Sequence, residues 1–159
     1  MTQKMIAVLL KAILVGVALC AVVAYAWAFP AIGQSLVVSY PEFSHAYYPW
    51  LVLLWATAIP CCVAWAYAWV ILSNIGSGSA FTEENSKLLK RISILALTVS
   101  LFFFVMNVLY LLLSINHPGI LLLALIVVFV GLAAAAVCAG LSHLTAKAAE
   151  LQIQSDWTI

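Results

Sequence analysis

Four long apolar runs, at about 5–28, 50–73, 92–113 and 120–144, decide what this chain can fold into. None of them holds an aspartate, a glutamate or an arginine, and their basic side chains are limited to Lys11 and His143. At ~1.5 Å per helical residue, the stretch from Ala12 to Ala28 alone covers ~25 Å, close to the ~30 Å hydrocarbon core of a bilayer. Hydrocarbon offers no partner to a free backbone group, so such runs cross as helices. The expected fold is all-α: one transmembrane domain over 1–159, an integral membrane four-helix bundle.

Composition supports this reading. The chain is 67% hydrophobic and 7% charged, where soluble domains carry roughly 25% charged residues. At 159 residues it has too much surface for its volume to hide so much apolar area from water. The formal net charge of +1 leaves no broad basic face, so direct nucleic-acid binding is not expected.

The basic residues set an orientation. Lys4 and Lys11 flank the first run, Lys87, Lys90 and Arg91 lie in the middle connection, and Lys147 lies in the tail. Residues 29–49 and 114–119 have no lysine or arginine. The positive-inside rule then makes both termini cytoplasmic, in a multi-pass protein of the bacterial cytoplasmic (inner) membrane. Lys11 is expected to snorkel to the inner headgroups. Ala26-Trp27-Ala28 is a weak signal-peptidase pattern, and the segment is expected to be retained as a span. Residues 29–49, punctuated by Pro30, Gly33, Pro41 and Pro49, read as a loop. Its Tyr40, Phe43, Tyr47 and Tyr48, with Trp50, suit an interfacial aromatic belt.

Packing positions follow from small residues. Ala12, Gly16, Cys20, Ala24 and Ala28 recur every four residues, and such a stripe lets another helix approach closely, whether from this chain or from a second copy. Gly131, Ala135 and Gly140 offer a similar face in the fourth run. Pro60, which cannot donate to the carbonyl of Ala56, should kink the second helix. Asn107 should hydrogen-bond between helices. The four cysteines, Cys20, Cys61, Cys62 and Cys138, form no C-x-x-C pair and read as small packing residues. No metal site, cofactor or catalytic residue is expected, because no nucleophile has a base beside it in the pattern.

Residues 77–91 are the one densely charged segment. Gly76 and Gly78 end the second helix, Thr82 is suited to cap the next, and Glu83 and Glu84 fall in its first turn, where the helix dipole favours them. A helix is therefore expected from about residue 82 straight into the third span. Phe81, Thr82, Glu83, Glu84, Asn85, Lys87, Lys90 and Arg91 are the candidate partner-binding residues. The tail 145–159 should add Asp156, Trp157, Thr158 and Ile159, with Leu151–Ile159 lying beside Thr82–Arg91.

Ile59-Pro60, then Ala80-Phe81-Thr82-Glu83-Glu84-Asn85 with Leu88, Leu89, Arg91 and Ile92, then the terminal Asp156-Trp157-Thr158-Ile159, resemble the domain of unknown function 2975 family. These are small bacterial four-helix membrane proteins. The resemblance covers almost the whole chain and implies no established enzyme activity. Its members often occur beside a small cytosolic helix-turn-helix regulator, which implies a regulatory or interaction component in contact with such a protein. Two other functions stay open at this stage. One is transport of a small molecule or lipid, although a proton-coupled carrier needs an intramembrane carboxylate that the spans lack. The other is immunity to, or recognition of, a membrane-active peptide.

Overall fold

A computed structural model describes residues 2–156. Helix α1 (Gln3–Val23) passes through a π-helical turn (Ala24–Ala28) into α2 (Phe29–Ser39). A short 3-10 segment (Pro41–Ala46) leads into α3 (Tyr47–Gly76), and α4 (Glu83–Leu112) and α5 (Pro118–Asp156) complete the chain. Four stretches are long and apolar enough to cross a membrane: Gln3–Ser39, Pro41–Gly76, Glu83–Leu112 and Pro118–Ser155.

The loop expected over 29–49 is mostly helical, and the reason is tertiary. The Phe29 N–H bonds the carbonyl of Ala24, five residues back. In that wider register the Tyr25 carbonyl would turn to residue 30, a proline with no N–H. It accepts the indole N–H of Trp55 on α3 instead, at 3.2 Å. A neighbouring helix thus satisfies the group that Pro30 strands, and the helix continues. Pro60 likewise lies inside α3 without ending it. Close by, Thr57 donates to the Leu54 carbonyl at 2.6 Å, so the Tyr25 hydroxyl donates the 2.9 Å bond to Thr57.

The helices form an open row. α1 packs on α3, α3 on α4 and α4 on α5, and among the described residues α1 approaches neither α4 nor α5. The start of α1, the end of α3, the start of α4 and the end of α5 share one end, called here the terminal end. There a Cβ on Gly76 would lie 3.2 Å from the Cβ of Ala7. At the other, hairpin end, Leu53, Phe103, Ala124 and Val128 form the apolar core, with Trp50 and Tyr110 packed against it.

Among the described residues the α4–α5 contact is the most extensive, and its seam has a seven-residue period: Ser86, Ser93, Ser100 and Asn107. Ser86 Oγ donates to the Ser142 carbonyl and Ser142 Oγ to the Ser86 carbonyl, both at 2.8 Å. Ser93 Oγ donates to the Ala135 carbonyl at 2.7 Å, and Gly131 faces Ser100. Asn107, fully buried, donates to the Phe103 carbonyl at 2.8 Å and accepts from Asn116 at 3.3 Å. A strict seven-residue repeat keeps one face toward the partner in a left-handed crossing.

The small-residue expectations divide accordingly. Ala135 is buried and Gly131 meets α4 closely. The close approach expected at Gly16 is not found: a Cβ there, as at Gly140, would meet no atom within 4 Å. Ala24 is half-buried in the π turn, whereas Cys20, Cys61 and Cys62 are exposed on the helix surfaces. An open row gives α1 one neighbour, so most of its circumference finds no protein.

Two helix ends carry the same stop signal. After α3, Ser79 N–H bonds the Asn74 carbonyl and Gly78 N–H the Ile75 carbonyl, with Gly78 at φ 89. After α4, Ile115 N–H bonds the Tyr110 carbonyl and Ser114 N–H the Leu111 carbonyl, with Ser114 at φ 58. Both are Schellman ends, which require the left-handed region. Serine is strained there and glycine is not, by roughly 1 kcal/mol. Glycine also loosens the unfolded chain, so Ser114→Gly is expected to raise the stability of the detergent-solubilised protein by up to about 0.5 kcal/mol in a thermal melt. A lowered midpoint counts against this geometry.

Candidate functional site

At the terminal end the connection 77–82 is held by one side chain. Asn85 is 1% exposed. Its Nδ2 donates to the carbonyls of Ser79 at 3.0 Å and Ala80 at 2.9 Å, while its Oδ1 accepts from Asn74 Nδ2 at 2.8 Å. Flipping the amide would point oxygen at two carbonyls, so the orientation is fixed by its partners. The backbone N–H of Asn85 bonds Thr82 Oγ1 at 3.2 Å, the N-cap contact of α4. One residue thus closes the turn, ties it to the last turns of α3 and receives the cap. Ser86, beside it, anchors the same turn to α5.

The clamp sorts the candidate residues. Phe81 is 58% exposed, and Glu83, Glu84, Lys87, Lys90 and Arg91 are also exposed. Thr82 is half-buried and committed to the cap. Asn85 is buried and offers a partner nothing directly, a correction to its place among the surface candidates. Lys87 Nζ lies 2.8 Å from Glu83 Oε1. That hydrogen bond, and then the lysine charge, hold the Glu83 carboxyl below its ordinary range. A lowered carboxyl gains from its partner at neutral pH and loses that gain as pH falls through its folded value, so the pair weakens only in acid.

The tail is placed differently from the expectation. The contacts of Ser86 with Ser142 and of Ser93 with Ala135 fix an antiparallel register. Thr82–Arg91 is then level with roughly 137–146 of α5, and not with Leu151–Asp156. α5 runs on past the first turn of α4, leaving its last turns as a projecting helix with Leu151 and Ile153 exposed. Asp156 ends the helix, and Trp157, Thr158 and Ile159 lie outside the described residues.

Farther in, two cations rest on rings. Lys11 Nζ lies 5.1 Å from the centroid of Trp69, and Arg91 Cζ lies 5.8 Å from that of Tyr67. Trp69 stacks on Trp65 at 5.5 Å, and Trp65 Nε1 donates to the Leu14 carbonyl at 3.2 Å. A shallow cleft of about 530 Å³ opens between Thr2, Gln3 and Lys4 and the turn Gly76–Gly78. Among the described residues no three His, Cys, Asp or Glu side chains gather as a metal would need.

Sequence reasoning missed the seam and the clamp. The seven-residue spacing from Ser86 to Asn107 was the available signal for the first. For the second, an asparagine at the third helical position after a Thr cap was the only local sign.

Four apolar helices with their charged groups gathered toward the ends define a multi-span helical membrane protein. The chain belongs to the family described as "Protein of unknown function (DUF2975)", which matches residues 31–159. It is similar to the "Uncharacterized membrane protein YoaS" of Bacillus subtilis (strain 168), 31% identical over 122 residues that cover 76% of each chain. No solved structure matches it.

Proposed function

We propose that this protein is a non-enzymatic component of the bacterial cytoplasmic membrane. Its terminal end, facing the cytoplasm, docks a small soluble helix-turn-helix regulator. The carrying observation is the Asn85 clamp, which holds Phe81 outward in a fixed turn among Glu83, Glu84, Lys87 and Lys90. A rigid aromatic within a charged rim costs little conformational freedom on binding, the arrangement of an interface anchor. The projecting end of α5 adds Leu151 and Ile153, both exposed. The six basic residues at this end support the cytoplasmic orientation.

Two measurements test the reading. Alkaline phosphatase fused at Ser79 should be inactive and the same fusion at Gly119 active; the reverse removes the cytoplasmic surface altogether. Affinity purification in mild detergent should retain a helix-turn-helix protein, and Phe81→Ala with Lys90→Glu should lower that retention at least about tenfold, as loss of an anchor does. The thermal midpoint should stay unchanged. Equal retention by parent and variant refutes the docking surface.

A further inference from the structure

We propose that Lys11 and Arg91 form two seats for the phosphate headgroups of anionic lipids, one on each flank of α3, and so set the depth of the protein in the leaflet at its terminal end. Gln3 to Lys11 and Glu83 to Arg91 are both about eight residues, so each cation sits about 12 Å along a helix that starts at the same end. Their rings, Trp69 and Tyr67, are two residues apart on α3, about 200° around the helix, and therefore face opposite neighbours. The two cations occupy one layer on two sides of one helix.

The opposite boundary fixes what that layer is. Along α3, Trp69 and Tyr47 are about 33 Å apart, and along α4, Arg91 and Tyr110 are about 29 Å apart at the helical rise. Both distances match the ~30 Å hydrocarbon core. The layer of Lys11 and Arg91 thus lies at the headgroups, where phosphates are.

Both cations are held, and among the described residues neither has an anion beside it. Lys11 is positioned by Trp69, itself stacked on Trp65, whose indole is tied to α1 through the Leu14 carbonyl. Arg91 lies over Tyr67. Among the described residues the ion pair is Lys87 with Glu83, and neither Lys11 nor Arg91 meets a carboxylate. A ring engages the face of a cation and leaves N–H donors to point elsewhere. A lipid phosphate at the same level supplies charge and acceptor oxygens together. This inference does not depend on the docking of a regulator.

The test uses the full chain in maltoside micelles, with phosphatidylglycerol or phosphatidylcholine added and the retained lipid counted by native mass spectrometry. The parent should retain phosphatidylglycerol preferentially. Lys11→Gln and Arg91→Gln should each cut that preference by about fivefold, the usual effect of one basic residue at an anionic surface. Lys4→Gln with Lys147→Gln should leave it intact, because those cations lie outside the layer. The charge-keeping pair Lys11→Arg with Arg91→Lys should also keep the preference, which separates loss of charge from loss of fold. The proposal fails if the Lys4 and Lys147 variant loses as much, since the preference is then a diffuse surface effect. It fails equally if inorganic phosphate displaces the lipid, since the seat then serves a free anion.

Discussion

Asn85→Ala should free the turn 77–82 while leaving the spans folded. The substitution removes two donated bonds and one accepted bond, in a position with almost no access to water. Each such bond contributes about 1 kcal/mol net, and a buried group left unpaired costs more, so a loss of about 3 kcal/mol is expected. Asn74→Ala removes one of the three contacts and should cost about 1 kcal/mol. Glu84→Ala, on the exposed side of the same turn, should stay within about 0.5 kcal/mol. Limited proteolysis in detergent is the sensitive readout, because local opening exposes this turn before the helices unfold. Cleavage between Ser77 and Thr82 should accelerate in Asn85→Ala while helical content holds. A turn as resistant as the parent's refutes the clamp. Asn85→Asp sharpens the test. An ionised carboxylate would face the carbonyls of Ser79 and Ala80, so the folded state raises its proton affinity. Stability should therefore fall as pH rises, with the turn better protected near pH ~5 than near pH ~8. No such dependence is expected of the parent turn, whose clamp is an uncharged amide.

What could be read from the residues and what could not divide along one physical line. The four apolar runs, the Thr82 cap and the Gly78 stop depend on local chemistry, and they are legible. Pro30 is a local breaker whose effect is cancelled at long range by the Trp55 indole, so a helix stands where the pattern spells a loop. Asn85 has charged neighbours on both sides and looks like surface, but helical rotation turns it inward beside Ser86 while Glu84 and Lys87 face out. The small-residue faces show the same limit. The Gly16 stripe and the Gly131 face look equivalent in sequence, and the order of helices in the row decides which one meets a partner. The candidate docking surface was legible as composition, since Phe81 and its charged rim are exposed. The tail's direction was not, because it depends on the register that Ser86 and Ser93 set against α5.

That register also makes Gly131→Ala and Gly140→Ala a discriminating pair. Both glycines lie in the same helix, and alanine is the better helix former by about 1 kcal/mol. With no atom within 4 Å of its added methyl, Gly140→Ala should be neutral or slightly stabilising. At Gly131 the methyl would collide with Ser100 Oγ and lie 3.3 Å from Ser100 Cβ. The serine hydroxyl can rotate away only by giving up its 2.8 Å bond to the Ala96 carbonyl, and rotation leaves the Cβ contact as tight as before. α4 and α5 must then part slightly, which strains the neighbouring bonds of Ser93 and Ser86 to α5. A cost of about 1–3 kcal/mol is expected, the usual penalty for adding a methyl to a filled contact. Ser100→Ala alone should cost less than about 1 kcal/mol, since it removes one bond within α4. Combining it with Gly131→Ala takes away the colliding oxygen, so the double variant should be more stable than the single effects predict, by about 1–2 kcal/mol of coupling. Thermal melts of the four proteins in one detergent measure that coupling. Strict additivity, or a Gly131→Ala midpoint equal to that of Gly140→Ala, would mean that the two helices do not meet at this seam.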